Sequence, residues 1–219
     1  MVEDTPTMLE TFVEDMKGFL MKPSATFGKT NSRTLGSAFQ YYFVLLIIFT
    51  ILYGIVTVSL QIATFSLYAN QLGMIPWIGG VLSASLLQFS GFVFAMSVFS
   101  VYMGFLVLLF GIFIAGLILQ VFVILMGGEQ GVVQTLKTVM YAATPALLLG
   151  WIPVIAFIGF IWTLVLLILG IEENQKMRLD HAVAVIIIPL VLEIIMMGLG
   201  AAVIIEFFKA LFSIIPGTL

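Results

Sequence analysis

The sequence predicts an all-helical polytopic membrane protein: a five-span helical bundle with an N-terminal amphipathic interfacial helix. Three observations predict it. Of 219 residues, 62% are hydrophobic and 9% charged, against about 25% charged in a soluble domain. No charged residue occurs between Arg33 and Glu129. Finally, one span count, and not its neighbour, gathers nearly all the basic residues on one side. A chain this apolar has no way to hide its surface from water. A soluble enzyme, a nucleic-acid binder and a disordered protein are therefore excluded. No cysteine and a single histidine, His181, leave no thiolate or His-rich metal site. No cofactor is expected.

Residues 1–33 are expected to form a cytoplasmic segment carrying nearly half of the charge. The N-terminus starts acidic, with Glu3 and Asp4, unlike a basic signal peptide. Met8, Leu9, Phe12, Val13, Met16, Phe19 and Leu20 recur at helical spacing, with Glu10, Glu14, Asp15 and Lys17 largely between them. Thr7 is the candidate N-cap and Pro23 closes the helix. Such a helix either docks on the rest of the protein or lies in the headgroup layer.

The membrane domain is expected over 34–212, followed by a short tail at 213–219. The first span reads as Phe39 to Leu60, then a helix tail and an uncharged loop carrying Trp77. Val81 to Met126 is too long for one simple span and barely enough for two, since each takes about 20 apolar residues. Ser83, Ser90, Ser97, Gly104 and Gly111 recur every seven residues, a small-residue seam along one continuous helix. Gly127, Gly128 and Gly131 flank Glu129 in a surface loop. Val132 to Trp151 and Val154 to Ile171 form a helical hairpin with an uncharged tip. A charged loop follows to Asp180, and the last span runs from Ala182 to Ile205.

Charge tests this count. If 81–126 crosses once, every basic residue except Lys209 falls on one side, as the positive-inside bias expects of the cytoplasmic face. If it crosses twice, Lys137, Lys176 and Arg178 move away and the bias mostly vanishes. The chain should therefore have its N-terminus in the cytoplasm and its C-terminus outside.

No catalytic constellation is visible. Asp180 and His181 point about 100° apart on a helix, and the glycine loop lacks phosphate-loop spacing. Glu129 reads as a surface carboxylate. Glu193 stands out, because an ionisable group near mid-bilayer is costly and ordinarily faces a bundle interior or a wet cavity. Gly200 and Ala201 on its face suggest inward packing, with Gln120 as the first-choice hydrogen-bond partner. A buried structural carboxyl and a functional polar site both fit. Pro145, Pro153 and Pro189 interrupt helices or make turns, each freeing a carbonyl that neighbours must satisfy.

From Gly127 to Leu192 the chain resembles the membrane domain of the Yip family, the Ypt-interacting proteins, in its prokaryotic branch. The residues carrying this are Gly127-Gly128-x-x-Gly131, then Thr135 and Lys137, and Tyr141-Ala142-Ala143-Thr144-Pro145. Trp162, Gly170-Ile171-Glu172-Glu173 and His181-Ala182-Val183-Ala184 follow, leading to Pro189. Pro23-Ser24-Ala25-Thr26-Phe27 also matches. The resemblance implies a five-span, non-enzymatic membrane protein. Eukaryotic members are associated with Rab-type GTPases, vesicle formation and membrane shaping. The short stretch before the first span puts Rab binding in doubt and points to a prokaryotic cytoplasmic membrane. The expected function is to organise or shape the bilayer, or to recruit partners. The alternative is a small oligomeric channel or transporter for an ion, proton or lipid, using Glu193. Expected partners are membrane lipids, with further copies of the chain and unidentified proteins as candidates, and no nucleic acid.

Overall fold

The computed structural model describes residues 7–213, in which every regular element is an α-helix. The helices are α1 (Met8–Met21), α2 (Pro23–Thr30), α3 (Leu35–Gly73), α4 (Gly79–Leu125), α5 (Val132–Ala142), α6 (Thr144–Leu149), α7 (Ala156–Gln175) and α8 (Leu179–Ser213). Five segments are long and apolar enough to cross a membrane: α3, α4, α5 with α6, α7, and α8. The long central segment is a single helix of 47 residues.

Local chemistry explains the boundaries. Thr7 caps α1 in a reciprocal capping box. Its hydroxyl accepts from the Glu10 N–H at 3.3 Å, and the Glu10 carboxylate accepts from the Thr7 N–H at 2.8 Å. Thr34 caps α3 by accepting from the Ser37 N–H. Pro23, expected only to close α1, instead opens α2 at its first turn, where a missing N–H costs nothing. α4 ends in a Schellman turn: Gly127 adopts φ +88°, the Gly128 N–H donates to Val123 O at 2.8 Å, and the Gly127 N–H donates to Ile124 O at 3.1 Å. The α3–α4 turn carries Trp77 at φ 77° and fully exposed.

The most extensive helix pair is α3 with α4. The small-residue seam faces α3 over part of its length. Ser97 donates to Gln61, and Ser83 lies beside Gly73, whereas Gly104 and Gly111 meet open space. An ideal helix drifts about 20° per heptad, so a seven-residue stripe on α4 leaves the interface.

The core lies at one end. Phe19, Phe27, Tyr42, Leu46, Met140, Tyr141 and Leu166 are fully buried there, joined by α1, α2, α3, α5 and α7. A second cluster sets Val123 and Ile171 against Ala182, Val185 and Ile186 of α8. Arg33, Lys137 and Glu173 lie at this end, called here the charged end. The α5–α7 hairpin turns back early, with Gly150 packed on Phe49 of α3. From Thr34 to Phe49 is ~22 Å at 1.5 Å per residue, and from Gly170 back to Ala156 is ~21 Å. Beyond Phe49, α3 continues for about 36 Å, packed mainly against α4. The molecule is thus broad at its charged end and narrow at the other.

Candidate functional site

At the charged end, α5 is the hub between two polar assemblies. On one side, the ammonium of Lys137, a residue 2% exposed, donates to Asn31 O at 2.5 Å and Arg33 O at 3.0 Å. These carbonyls lie between α2 and α3, so one lysine holds the N-terminal helices to the bundle. Arg33 in turn makes a two-pronged pair with buried Asp15 of α1. The Asp15 hydrogen bond raises the Arg33 pKa further above its ordinary value, against partial burial, which lowers it. Phe19 of α1 stacks on Tyr141 at 4.9 Å between centroids, and meets Phe27 of α2 edge-on.

On the other side of α5, a chain of amides and hydroxyls ties three helices and the glycine loop. The Thr135 hydroxyl donates to Gln120 Oε1 at 2.5 Å, and Gln175 Nε2 donates to Thr135 Oγ1 at 2.8 Å and Gly131 O at 3.0 Å. The Gln130 N–H closes the loop onto Gln175 Oε1 at 3.1 Å. Asn174 Nδ2 donates to Thr138 Oγ1 at 2.7 Å. Buried amides are costly unless paired, so these bonds fix the register of α4, α5 and α7. Gly170 permits a close approach of three helices: a Cβ there would stand 2.6 Å from Thr138 Cγ2 and 2.7 Å from the Phe27 ring.

Several singled-out residues meet at this end. Gln120 belongs to the amide network. Gly127 and Gly131 hold positive φ, and Gly128 sits so close to Val123 that a side chain would clash. Glu129 is exposed on the same loop. Tyr141 is 1% exposed, its ring in the aromatic stack. Pro145 opens α6 just past the break at Ala143. There the Thr144 hydroxyl donates to Tyr141 O at 2.5 Å, replacing the N–H that Pro145 lacks, and the Tyr41 hydroxyl lies 3.0 Å from Thr144 Oγ1.

Glu193 does not join them, which corrects the expectation of an inward-packed carboxyl bonded to Gln120. Gln120 is bonded to Thr135 instead, and Glu193 is exposed. The reason is that α8 packs on α4 and α7 near its start, with Ala182, Val185 and Ile186 as its buried residues. From Val191 to Leu211 every residue is exposed, and Gly198 and Gly200 meet no neighbouring atom. Gln88 is exposed far along α4. The polar groups that a transport path needs are therefore scattered within one chain.

Sequence reasoning missed the buried roles of Lys137, Asn174 and Gln175. Their signal was present: Thr135, Lys137 and Thr138 place polar groups on opposite faces of one helix, which only partners on both sides can satisfy. Among the described residues, no group of three or more His, Cys, Asp or Glu could hold a metal.

No curated protein and no solved structure matches the chain. The sequence model of the Yip1 domain matches residues 17–201, from the middle of α1 to the outer part of α8. That range contains the glycine loop, the amide network, Arg33 and Lys137 of the other assembly, and the Tyr141–Pro145 break, and the chain belongs to the Yip1 domain family.

Proposed function

We propose that this membrane protein is non-enzymatic and shapes the bilayer by occupying one leaflet more than the other. One observation carries the reading: α1 and α2 add their volume only at the charged end, packed against the spans, and no comparable element among the described residues broadens the opposite end. In a bilayer whose hydrocarbon is about 30 Å thick, such a body widens the leaflet at its broad end. The positive-inside bias favours the cytoplasmic leaflet for that end, and a prokaryotic cytoplasmic membrane is part of the same proposal. Further copies of the chain and partner proteins belong to the same proposal.

Two measurements test it. Reconstitution at rising protein-to-lipid ratio should shrink or tubulate vesicles seen by electron microscopy. Unchanged vesicle diameters, with no partner recovered by cross-linking, overturn the reading, and ion flux or lipid scrambling would return the transport alternative. Single cysteines at Asn70 should react with an impermeant thiol reagent in intact cells. Those at Lys29, Gln130 and Lys176 should react only after permeabilisation; labelling of Gln130 in intact cells overturns the orientation.

A further inference from the structure

α1 and α2 do not close completely on each other. Between them lies a cleft of about 370 Å³, open to the surface. Gly18 and Thr26 bring the two helices together at its floor. Lys17, Lys22 and Lys29 line the cleft; all three are exposed and none of their ammonium groups makes an ion pair or hydrogen bond among the described residues. Arg33 and Asp15, also in its wall, neutralise each other. Glu14 is the remaining lining carboxylate, so the cleft holds a net excess of two positive charges. Glu173 of α7 stands behind α2 against Gly28 and does not line it.

Three unpaired ammonium groups around one cleft repel one another, and a bound anion relieves that repulsion. Position says which anion. α2, one wall of the cleft, packs through Phe27 and Gly28 on Gly170 and Glu173 of α7, where the apolar span gives way to a charged loop, the level expected of lipid headgroups. Met21 lines the same cleft and is 78% exposed, an apolar rim beside the lysines. A free phosphate has no use for that rim; a lipid has acyl chains to lay along it. We infer that the cleft between α1 and α2 binds the phosphate headgroup of an anionic glycerophospholipid, with Lys17, Lys22 and Lys29 as its ligands. This rests on the embedding in a membrane and not on bilayer shaping, so failure of the vesicle-diameter test leaves it standing.

The test uses the full chain in nanodiscs of phosphatidylglycerol mixed with phosphatidylcholine, with retained lipid identified by native mass spectrometry. The protein should retain phosphatidylglycerol preferentially, and each of Lys17→Gln, Lys22→Gln and Lys29→Gln should lower the preference about fivefold. The triple variant should lose it at an unchanged melting temperature, because these side chains are exposed. Lys→Arg replacements should keep it, and Glu14→Gln should strengthen it. A triple Gln variant that still selects phosphatidylglycerol overturns the proposal. So does displacement of the lipid by glycerol 3-phosphate at equal concentration, which makes the ligand a soluble phosphate ester.

Discussion

The Thr144 hydroxyl lies 2.5 Å from the Tyr141 carbonyl, in the place of the N–H that Pro145 lacks. The same hydroxyl meets Tyr41 of α3, so the break between α5 and α6 is tied to the first span. Thr144→Val keeps the shape and removes both bonds, leaving a buried carbonyl and a buried phenol unpaired. It should destabilise the detergent-solubilised protein by about 1–3 kcal/mol, read as a lower melting temperature. Tyr141→Phe should be near neutral, because the ring does the packing and is kept.

Lys137→Met should loosen the N-terminal helices from the bundle. It removes the donor shared by Asn31 O and Arg33 O, at a cost of about 1–3 kcal/mol. Amide exchange should rise across α1 and α2 and stay slow in α7. Uniform exchange in all helices would mean that Lys137 holds the whole core instead.

Gln175→Leu should cost more than Gln88→Leu. The first breaks three bonds and strands Thr135, Gly131 O and the Gln130 N–H, for about 1–3 kcal/mol. The second alters an exposed side chain. Equal melting temperatures would show that the amide network contributes no stability.

Glu193→Leu should leave the isolated chain as stable as the parent or more so, since no buried partner is abandoned. In a bilayer the leucine should insert more favourably, by about 2.5–3.5 kcal/mol on insertion scales. A variant that melts well below the parent would place Glu193 against a second copy of the chain.

The α1 cap should weaken in acid. The Glu10 carboxyl accepts from the Thr7 N–H, and from the Thr7 side chain to a smaller degree, which holds its pKa below the ordinary value. A lowered folded-state pKa stabilises above the unfolded value and loses that contribution as pH falls through the folded one. Amide exchange at the start of α1 should therefore quicken below about pH 4, and Glu10→Gln should flatten the profile.

Much of this protein is legible one residue at a time. The absence of charge from Thr34 to Gly128, together with the one-sided lysines and arginines, is a statement about transfer into hydrocarbon. It needs no knowledge of neighbours, so the spans, their number and the single long α4 follow from it. Thr7 as a cap and the Gly127–Gly131 turn are equally local, set by orphan N–H groups and by φ.

What sequence could not decide is which polar side chains have partners. Glu193, with glycine and alanine on its helical face, has the pattern of an inward residue, yet α8 leaves its neighbours beyond Ile186 and nothing covers it. Lys137 has the pattern of a loop-proximal cation, yet it is buried because the chain between α2 and α3 brings two carbonyls to it. A side chain's own helix fixes its direction; whether another helix stands in that direction depends on where α4, α5, α7 and α8 end relative to one another. That is a property of packing over the whole chain, and it alone assigned the buried lysine and the exposed carboxylate.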